Sequence, residues 1–153
     1  MKYNLHVVLI EPQIPYNTGN IGRLCVATNS KLHLVGKLGF SLNDKYLKRA
    51  GLDYWSLLDY AVYKNFEDFL EKNKGGRFIF VEFPAFKLYT EVSYQEGDYL
   101  IFGSEDYGIP KEIMERYWEN SVSIPIFGPV RSLNLSSSVA IVVYEALRQI
   151  KKF

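Results

Sequence analysis

The sequence predicts a single α/β domain over residues 1–153, with a mostly parallel sheet of about six strands and helices on both faces. Apolar runs such as Leu5–Ile10 lack a polar face, which is typical of parallel strands that are covered on both sides. Strand-like and helix-like segments alternate along the chain, and this alternation indicates βαβ units. Polar loop segments follow the apolar runs at residues 15–23, 102–110 and 131–138, and the first two contain glycines. Because such loops meet in one crevice of an open sheet, the pattern predicts a ligand site.

The first helix is expected to follow a loop rich in proline and glycine, from Pro12 to Gly19. Thr18 or Asn20 is the predicted cap, and the helix runs to about Asn29. The remaining strands are predicted at 31–35, 61–63, 77–81, 99–102 and 121–124. The remaining helices are predicted at 42–60 in two pieces, 66–73, 111–117 and 134–151.

The last predicted helix carries apolar residues on every side between Val139 and Tyr144. A helix that is apolar all round is buried on all sides, and in a small protein this favours a partner subunit. We therefore expect a homodimer.

Composition narrows the class of protein. The 48% apolar content is that of a well-packed globular chain, and the net charge of +1 argues against a polybasic coat for nucleic acid. Cys25 has no partner for a disulfide, and no window reaches the ~18 uninterrupted apolar residues of a membrane span. The first residues lack the features of a signal peptide. We expect a cytoplasmic protein that is not embedded in a membrane.

Several chemistries have no signature in the sequence. His6, His33 and Cys25 show no metal-ligand spacing, so we expect no bound metal. Neither a G-x-S-x-G turn nor a phosphate-binding G-x-x-x-x-G-K-[ST] loop occurs. The serines at 136–138 suit the start of a helix, where Asn134 can accept hydrogen bonds from free amides.

Gly19 and Gly22 of the first loop form a G-x-x-G pattern, which we interpret as a turn before the helix, and the pairing of Asn17 with Arg23 around it is more specific. Both side chains can reach a bound phosphate or hydroxyl. A salt bridge from Arg23 to Glu11 or Glu105 explains the arginine equally well. An unassisted arginine stays protonated at neutral pH, so orientation of a ligand is a safer role for it than general base.

Three elements together resemble the motifs of the SPOUT-class RNA 2′-O-methyltransferases. They are N-x-G-N-x-x-R at 17–23, F-G-x-E-x-x-G-x-P at 102–110, and Ile124-Pro125 followed by R-S-L-N-L-S at 131–136. The stretch at 48–54 and the absence of an added RNA-binding domain are similar to the branch that methylates the wobble cytidine or uridine of tRNA. The similarity covers nearly the whole chain.

This resemblance implies a trefoil knot in the C-terminal part, an S-adenosylmethionine site within it, and an obligate dimer. The cofactor contacts that it implies are Val81, Gly103, Ile124, Ser132 and Leu133. It also implies that Asn17, Arg23 and Asn134 fix the target ribose, and that Arg23 assists deprotonation of the hydroxyl.

Contacts with the tRNA anticodon stem-loop are expected from basic residues, namely Lys45, Lys48, Arg49 and Arg131, although surface solubility is an equal alternative for each. Where the wobble branch usually shows G-P-E-T-R-G, this chain has Gly103-Ser104-Glu105-Asp106-Tyr107-Gly108. Tyr107 is expected to stack on a base in place of an ionic phosphate contact. The alternatives are methylation of another RNA site, a non-catalytic RNA-binding relative, and a small-molecule nucleotide-binding protein.

Overall fold

The computed structural model describes residues 2–153, except for the side chains of residues 51–53, which belong to the 48–54 stretch noted above. The strands are β1 Leu5–Ile10, β2 Ser30–Val35, β3 Tyr60–Tyr63, β4 Phe78–Val81, β5 Lys87–Leu88, β6 Tyr99–Phe102 and β7 Ser121–Ser123. The α-helices are α1 Pro15–Ala27, α2 Lys45–Gly51, α3 Phe66–Lys72, α4 Lys111–Arg116 and α5 Leu135–Lys151. Short 3-10 segments span Leu52–Leu57, Tyr89–Glu91 and Trp118–Asn120.

The seven strands form one sheet in the order β3-β2-β1-β6-β4-β7-β5. Every strand pairing in it is parallel, and β1 is aligned with β2 from Leu5 opposite Ser30 to Ile10 opposite Val35. The α/β class and the parallel sheet are confirmed; the two-residue strand β5 is the addition to the expected six. The chain leaves β1 toward β2 on one side and leaves β6 toward β7 on the other, so a switch point of the sheet lies between β1 and β6. The trefoil knot stays a prediction.

Helices cover both faces of the sheet, as expected. One core cluster joins the strands to α1 and α5 through Ile21, Val139 and Val143. The other joins them to α3 and α4 through Phe69 and Ile113. Alternate residues of the central strands β1, β4 and β6 therefore pack on opposite helical layers, which is why these three strands are almost entirely apolar.

Helix α1 begins earlier than the sequence predicts, and neither predicted cap is correct. Its first residue is Pro15, where a ring that lacks an N–H costs no helical hydrogen bond. Ile14 is the N-cap residue and provides no side-chain cap. The G-x-x-G pattern is also not a turn, because Gly19 and Gly22 both lie inside this helix. A Cβ on Gly22 would lie 2.7 Å from the Trp55 ring, so this glycine allows close packing of the following segment.

Helix α5 has the cap that the sequence predicts: the Asn134 side chain accepts a hydrogen bond from the Ser137 amide. All-round burial is not observed in the single chain. Val139, Val142 and Val143 are fully buried, whereas Ile141 and Tyr144 are 36% and 46% exposed. None of the helices in residues 2–153 is long and apolar enough to cross a membrane.

The two histidines form a hydrogen-bonded chain across neighbouring strands. His6 Nδ1 lies 2.8 Å from His33 Nε2, and His33 Nδ1 lies 2.8 Å from the Tyr63 hydroxyl. The pKa of His6 is lowered to about 4 and that of His33 to about 3; burial is the main cause for both, and the neighbouring His6 ring adds to the effect on His33. Both rings are therefore neutral at pH 7. In the described residues, no group of three or more His, Cys, Asp or Glu side chains could hold a metal ion.

Candidate active site

A cavity of about 490 Å³ lies at the carboxyl ends of the central strands. Three loops border it, which we name the β1 loop (Glu11–Ile14), the β6 loop (Gly103–Pro110) and the β7 loop (Ile124–Asn134). The first residues of α1 and α5 complete the wall through Asn17 and Ser138. The three segments predicted to meet, 15–23, 102–110 and 131–138, do come together here, at the edge of the sheet where parallel topology places ligand sites. The first of them is the beginning of helix α1 rather than a loop, and it reaches the cavity through Asn17.

All five residues that the resemblance assigns to the cofactor line this cavity. They are Val81, Gly103, Ile124, Ser132 and Leu133. Val81 ends strand β4, while Gly103 and Ile124 directly follow β6 and β7. Side chains at strand ends provide the apolar floor, and the loops provide backbone amides and carbonyls, which together suit a flat heteroaromatic ligand.

Gly103 is required by the loop itself. A Cβ at this position would lie 2.0 Å from the Gly108 carbonyl carbon and 2.2 Å from the Ile109 nitrogen. The two ends of the β6 loop touch here, and Ser104 and Gly108 exchange backbone hydrogen bonds of 3.3 and 3.0 Å. The Ser104 hydroxyl also accepts from the Tyr107 amide at 2.9 Å. Any side chain at Gly103 therefore displaces a loop that forms one wall of the cavity.

Glu105 is a site residue that the sequence reasoning weighed only as an ion-pair partner for Arg23. Its carboxylate accepts from the Gln13 amide at 2.8 Å, the Ile14 amide at 3.0 Å and the Asn17 side chain at 3.2 Å. Glu105 therefore fastens the β6 loop to the beginning of α1, where the helix dipole also favours a negative charge. The glutamate in the F-G-x-E motif was the available sequence signal, but its donors are 88–92 residues away.

Asn17 and Asn134 are joined by a hydrogen bond whose direction is fixed. Because the Glu105 carboxylate only accepts, the Asn17 amide nitrogen points toward it and the Asn17 oxygen points away. That oxygen accepts from the Asn134 side-chain nitrogen at 3.2 Å. The Asn134 oxygen in turn accepts from Ser136 Oγ and the Ser137 amide. One residue from each of the three motifs is thus held in a single polar chain at the cavity.

Arg23 does not join this group in the single chain. It lies more than two helical turns into α1, since the helix begins at Pro15. Its exposed guanidinium lies over the Tyr54 ring, 5.2 Å from the centroid, and it is not among the residues that line the cavity. No salt bridge to Glu11 or Glu105 forms within the described residues. The catalytic role of Arg23 stays a prediction.

The expected RNA-contacting residues fall into two groups. Arg131 and Tyr107 lie at the cavity, and Tyr107 is 88% exposed. Lys45, Lys48 and Arg49 lie on α2, which packs against α1, and all three are exposed. In the part of the chain that the structure describes, none of these three forms an ion pair.

Residues 4–144 match the model of the SpoU rRNA Methylase family. The chain belongs to this family. The match includes all three loops around the cavity and most of α5, so the polar chain described above is built from residues within the family domain.

Close relatives carry more specific names. The tRNA (cytidine(34)-2'-O)-methyltransferase of Saccharophagus degradans is 44% identical over 146 residues, which cover 95% of each chain. A structure described as giving insights into the 2-OH methylation of C/U34 on tRNA is 43% identical, with a TM-score of 0.94 and 97% of each chain covered. The AdoMet-bound rRNA methyltransferase from Sinorhizobium meliloti is 25% identical, with a TM-score of 0.85, and the match covers 97% of this chain and 57% of that one.

The charges around the cavity fit a cationic cofactor. Three carboxylates line it, from Glu82, Glu105 and Asp106, against the single guanidinium of Arg131. S-adenosylmethionine carries a sulfonium and an ammonium group beside one carboxylate, and its adenine suits the apolar floor at Val81 and Ile124. The residues present therefore fit this cofactor in size, polarity and charge.

Proposed function

We propose that the chain transfers a methyl group from S-adenosylmethionine to the ribose 2′-hydroxyl of the wobble cytidine or uridine in tRNA. The observation that carries the proposal is the polar chain of Glu105, Asn17 and Asn134 at a cavity of about 490 Å³, in a member of this methylase family. The names of the close relatives support the substrate.

The cofactor, when bound, supplies an electrophilic methyl group on a sulfonium sulfur. The chain must hold the ribose so that its 2′-oxygen points along the sulfur–carbon bond, because a new oxygen–carbon bond forms as that bond breaks. Such alignment is worth roughly 7–11 kcal/mol in favourable cases. The fixed amides of Asn17 and Asn134 suit this task because their orientation is set before the substrate binds.

Neither asparagine can take up the hydroxyl proton at neutral pH, and three N–H donors already occupy the Glu105 carboxylate. The family resemblance offers Arg23 to assist this step: since a guanidinium stays protonated at neutral pH, it would orient the hydroxyl and stabilise the developing negative charge on its oxygen while the proton passes to water. Arg23 does not line the cavity of its own chain, so we propose that the Arg23 side chain of a second subunit reaches the reacting ribose. The exposed apolar residues of α5, Ile141 and Tyr144, support such a homodimer.

The proposed RNA contacts follow from the positions of the charged and aromatic residues. Arg131 lies at the cavity and can pair with a phosphate beside the target nucleotide, and Tyr107 can stack on a splayed-out base. Lys45, Lys48 and Arg49 extend the positive surface along α2 toward the anticodon stem. We place this activity in the cytoplasm, where tRNA is found.

The test is methyl transfer from labelled S-adenosylmethionine to two anticodon stem-loops that differ only in the wobble sugar, ribose or 2′-deoxyribose. Transfer to the ribose form alone is the expected result. Equal transfer to both would show that another position is methylated. Cofactor binding without any transfer would favour a non-catalytic RNA-binding relative or a small-molecule nucleotide-binding protein.

A further inference from the structure

Glu82 lies directly after strand β4 and faces the cavity, although no motif contains it. Its carboxylate Oε1 accepts from the Ile109 amide at 2.7 Å, and its Oε2 accepts from the Phe83 amide at 3.1 Å. Its own amide donates to the Val122 carbonyl of β7 at 3.0 Å. The residue is therefore anchored by the sheet on one side and reaches the β6 loop on the other.

The contact with the β6 loop is made where that loop closes on itself. Gly108 adopts φ +71°, and a Cβ there would lie 2.5 Å from Glu82 Oε1. The carboxylate thus packs against the Gly108 backbone while it binds the Ile109 amide. The same Gly108 carbonyl accepts the Ser104 amide that closes the loop.

The β6 loop is consequently held by two carboxylates at its two ends. Glu105 fastens its first half to α1, and Glu82 fastens its second half to β4. Glu105 lies on the side of the cavity that contains Asn17 and Asn134. Glu82 lies on the side formed by Val81, Gly103 and Ile124, which are predicted cofactor contacts.

We propose that Glu82 is a positioning residue for the cofactor: its carboxylate holds the Gly108–Ile109 segment against β4 and so completes the wall of the cofactor cavity. The proposal rests on the proposed function only in that the cavity binds S-adenosylmethionine. A charge-assisted hydrogen bond between a carboxylate and a backbone amide is among the stronger single contacts in a protein, so its loss should be measurable in binding.

The experiment compares Glu82→Ala and Glu82→Gln with Glu91→Ala. Glu91 is a matched control because its carboxylate also accepts from a backbone amide, that of Leu88 at 2.8 Å, but it does not line the cavity. Titration calorimetry with S-adenosylhomocysteine gives the Kd of each protein, and exchange of the Ile109 amide with deuterium reports the loop directly. Steady-state kinetics with a saturating RNA acceptor separate KM for S-adenosylmethionine from kcat.

We expect Glu82→Ala to raise the Kd and the KM about tenfold with kcat unchanged within about twofold, and to speed exchange of the Ile109 amide. Glu82→Gln keeps one acceptor oxygen and should recover most of the affinity, to within about threefold of the wild type. Glu91→Ala should have the Kd of the wild type. Its Tm should fall slightly, by about as much as that of Glu82→Ala, because each variant loses a carboxylate–amide hydrogen bond.

Wild-type Kd in Glu82→Ala, or a fall in kcat at unchanged KM, would overturn the role of Glu82. A wild-type protein that fails to bind S-adenosylhomocysteine would instead overturn the proposed function. If Glu82→Ala does not fold, Glu82→Gln provides the test, because the positioning role requires that Ile109 exchange and Kd change together. Slow Ile109 exchange with weaker binding, or fast exchange with an unchanged Kd, would each refute that role.

Discussion

Replacing Glu105 by glutamine should uncouple the start of α1 from the β6 loop. The carboxylate now receives three N–H donors, from the Gln13 amide, the Ile14 amide and the Asn17 side chain. Glutamine offers one acceptor oxygen and turns an NH2 group toward the remaining donors. At best the oxygen keeps the two contacts made by Oε2, and the 2.8 Å contact with Gln13 is lost.

The expected cost follows from these contacts. A hydrogen bond to a charged group contributes about 1.5–3 kcal/mol, and a neutral one about 0.5–1.5 kcal/mol. One charged contact is lost and two become neutral, which would cost about 3.5–6 kcal/mol without compensation. Because Glu105 is only half-buried, water can replace part of these contacts. We expect about 1.5–2.5 kcal/mol of the cost to appear as poorer alignment of Asn17, or roughly 10- to 70-fold in kcat/KM.

The assay is methyl transfer to the anticodon stem-loop at limiting substrate, with Glu91→Gln as the control. The Glu91 carboxylate also accepts from a backbone amide, that of Leu88 at 2.8 Å, but it does not line the cavity. A Glu105→Gln protein that keeps kcat/KM within twofold of the wild type, or a Glu91→Gln protein that loses as much, would refute the positional argument.

Gly103→Ala should lower the affinity for S-adenosylhomocysteine by at least about tenfold, because the new Cβ would lie 2.0 Å from the Gly108 backbone. Gly128→Ala is the control: a Cβ there meets nothing within 4 Å, so this variant should bind like the wild type in the same calorimetric titration. Equal affinities of the two variants would contradict this prediction. Burial lowers the pKa of His33 to about 3, so between about pH 6.5 and pH 3 the unfolded chain binds more protons than the folded one. The free energy of unfolding should therefore decrease as the pH is lowered through this range, by up to about 1.4 kcal/mol per pH unit for each proton. Urea melts at pH 7 and pH 5 check this, and His33→Phe should flatten the slope. Burial raises the pKa of the Cys25 thiol, so iodoacetamide should leave it unmodified in the folded protein at pH 8 and label it fully in urea; labelling of the native chain at the rate of a free thiol would refute its burial.

Local sequence signals predicted most elements because they depend on contacts between neighbours in the chain. Asn65 caps α3 through the Asp68 amide, as its spacing from that residue suggests. Strand β1 has the predicted bounds because six consecutive residues without a usable polar face leave no other arrangement.

The beginning of α1 was predicted wrongly because its stabilising partner is distant in the sequence. The amides that precede the helix are bound by Glu105, which lies 91–92 residues further along the chain. Glycines at 19 and 22 then look like a turn, although Gly22 serves contact with Trp55. The burial of helix α5 was also mispredicted, because the spacing of its apolar residues does not reveal which face of the helix the sheet covers.

The residues of the candidate site were predicted in part. Motif resemblance supplied Asn17, Asn134 and the five predicted cofactor contacts, and the structure brings them to one cavity. The carboxylate contacts of Glu105 and Glu82 could not be found in this way, since each depends on the closed shape of the β6 loop.

The central claim is tested most directly by locating the methyl group. Unmethylated tRNA is incubated with the protein and S-adenosylmethionine, digested, and examined by mass spectrometry of nucleosides and of the anticodon fragment. The account predicts a 2′-O-methylated cytidine or uridine at the wobble position, which disappears with Asn17→Ala. A methyl group on a base, or on a ribose elsewhere in the tRNA, would contradict it.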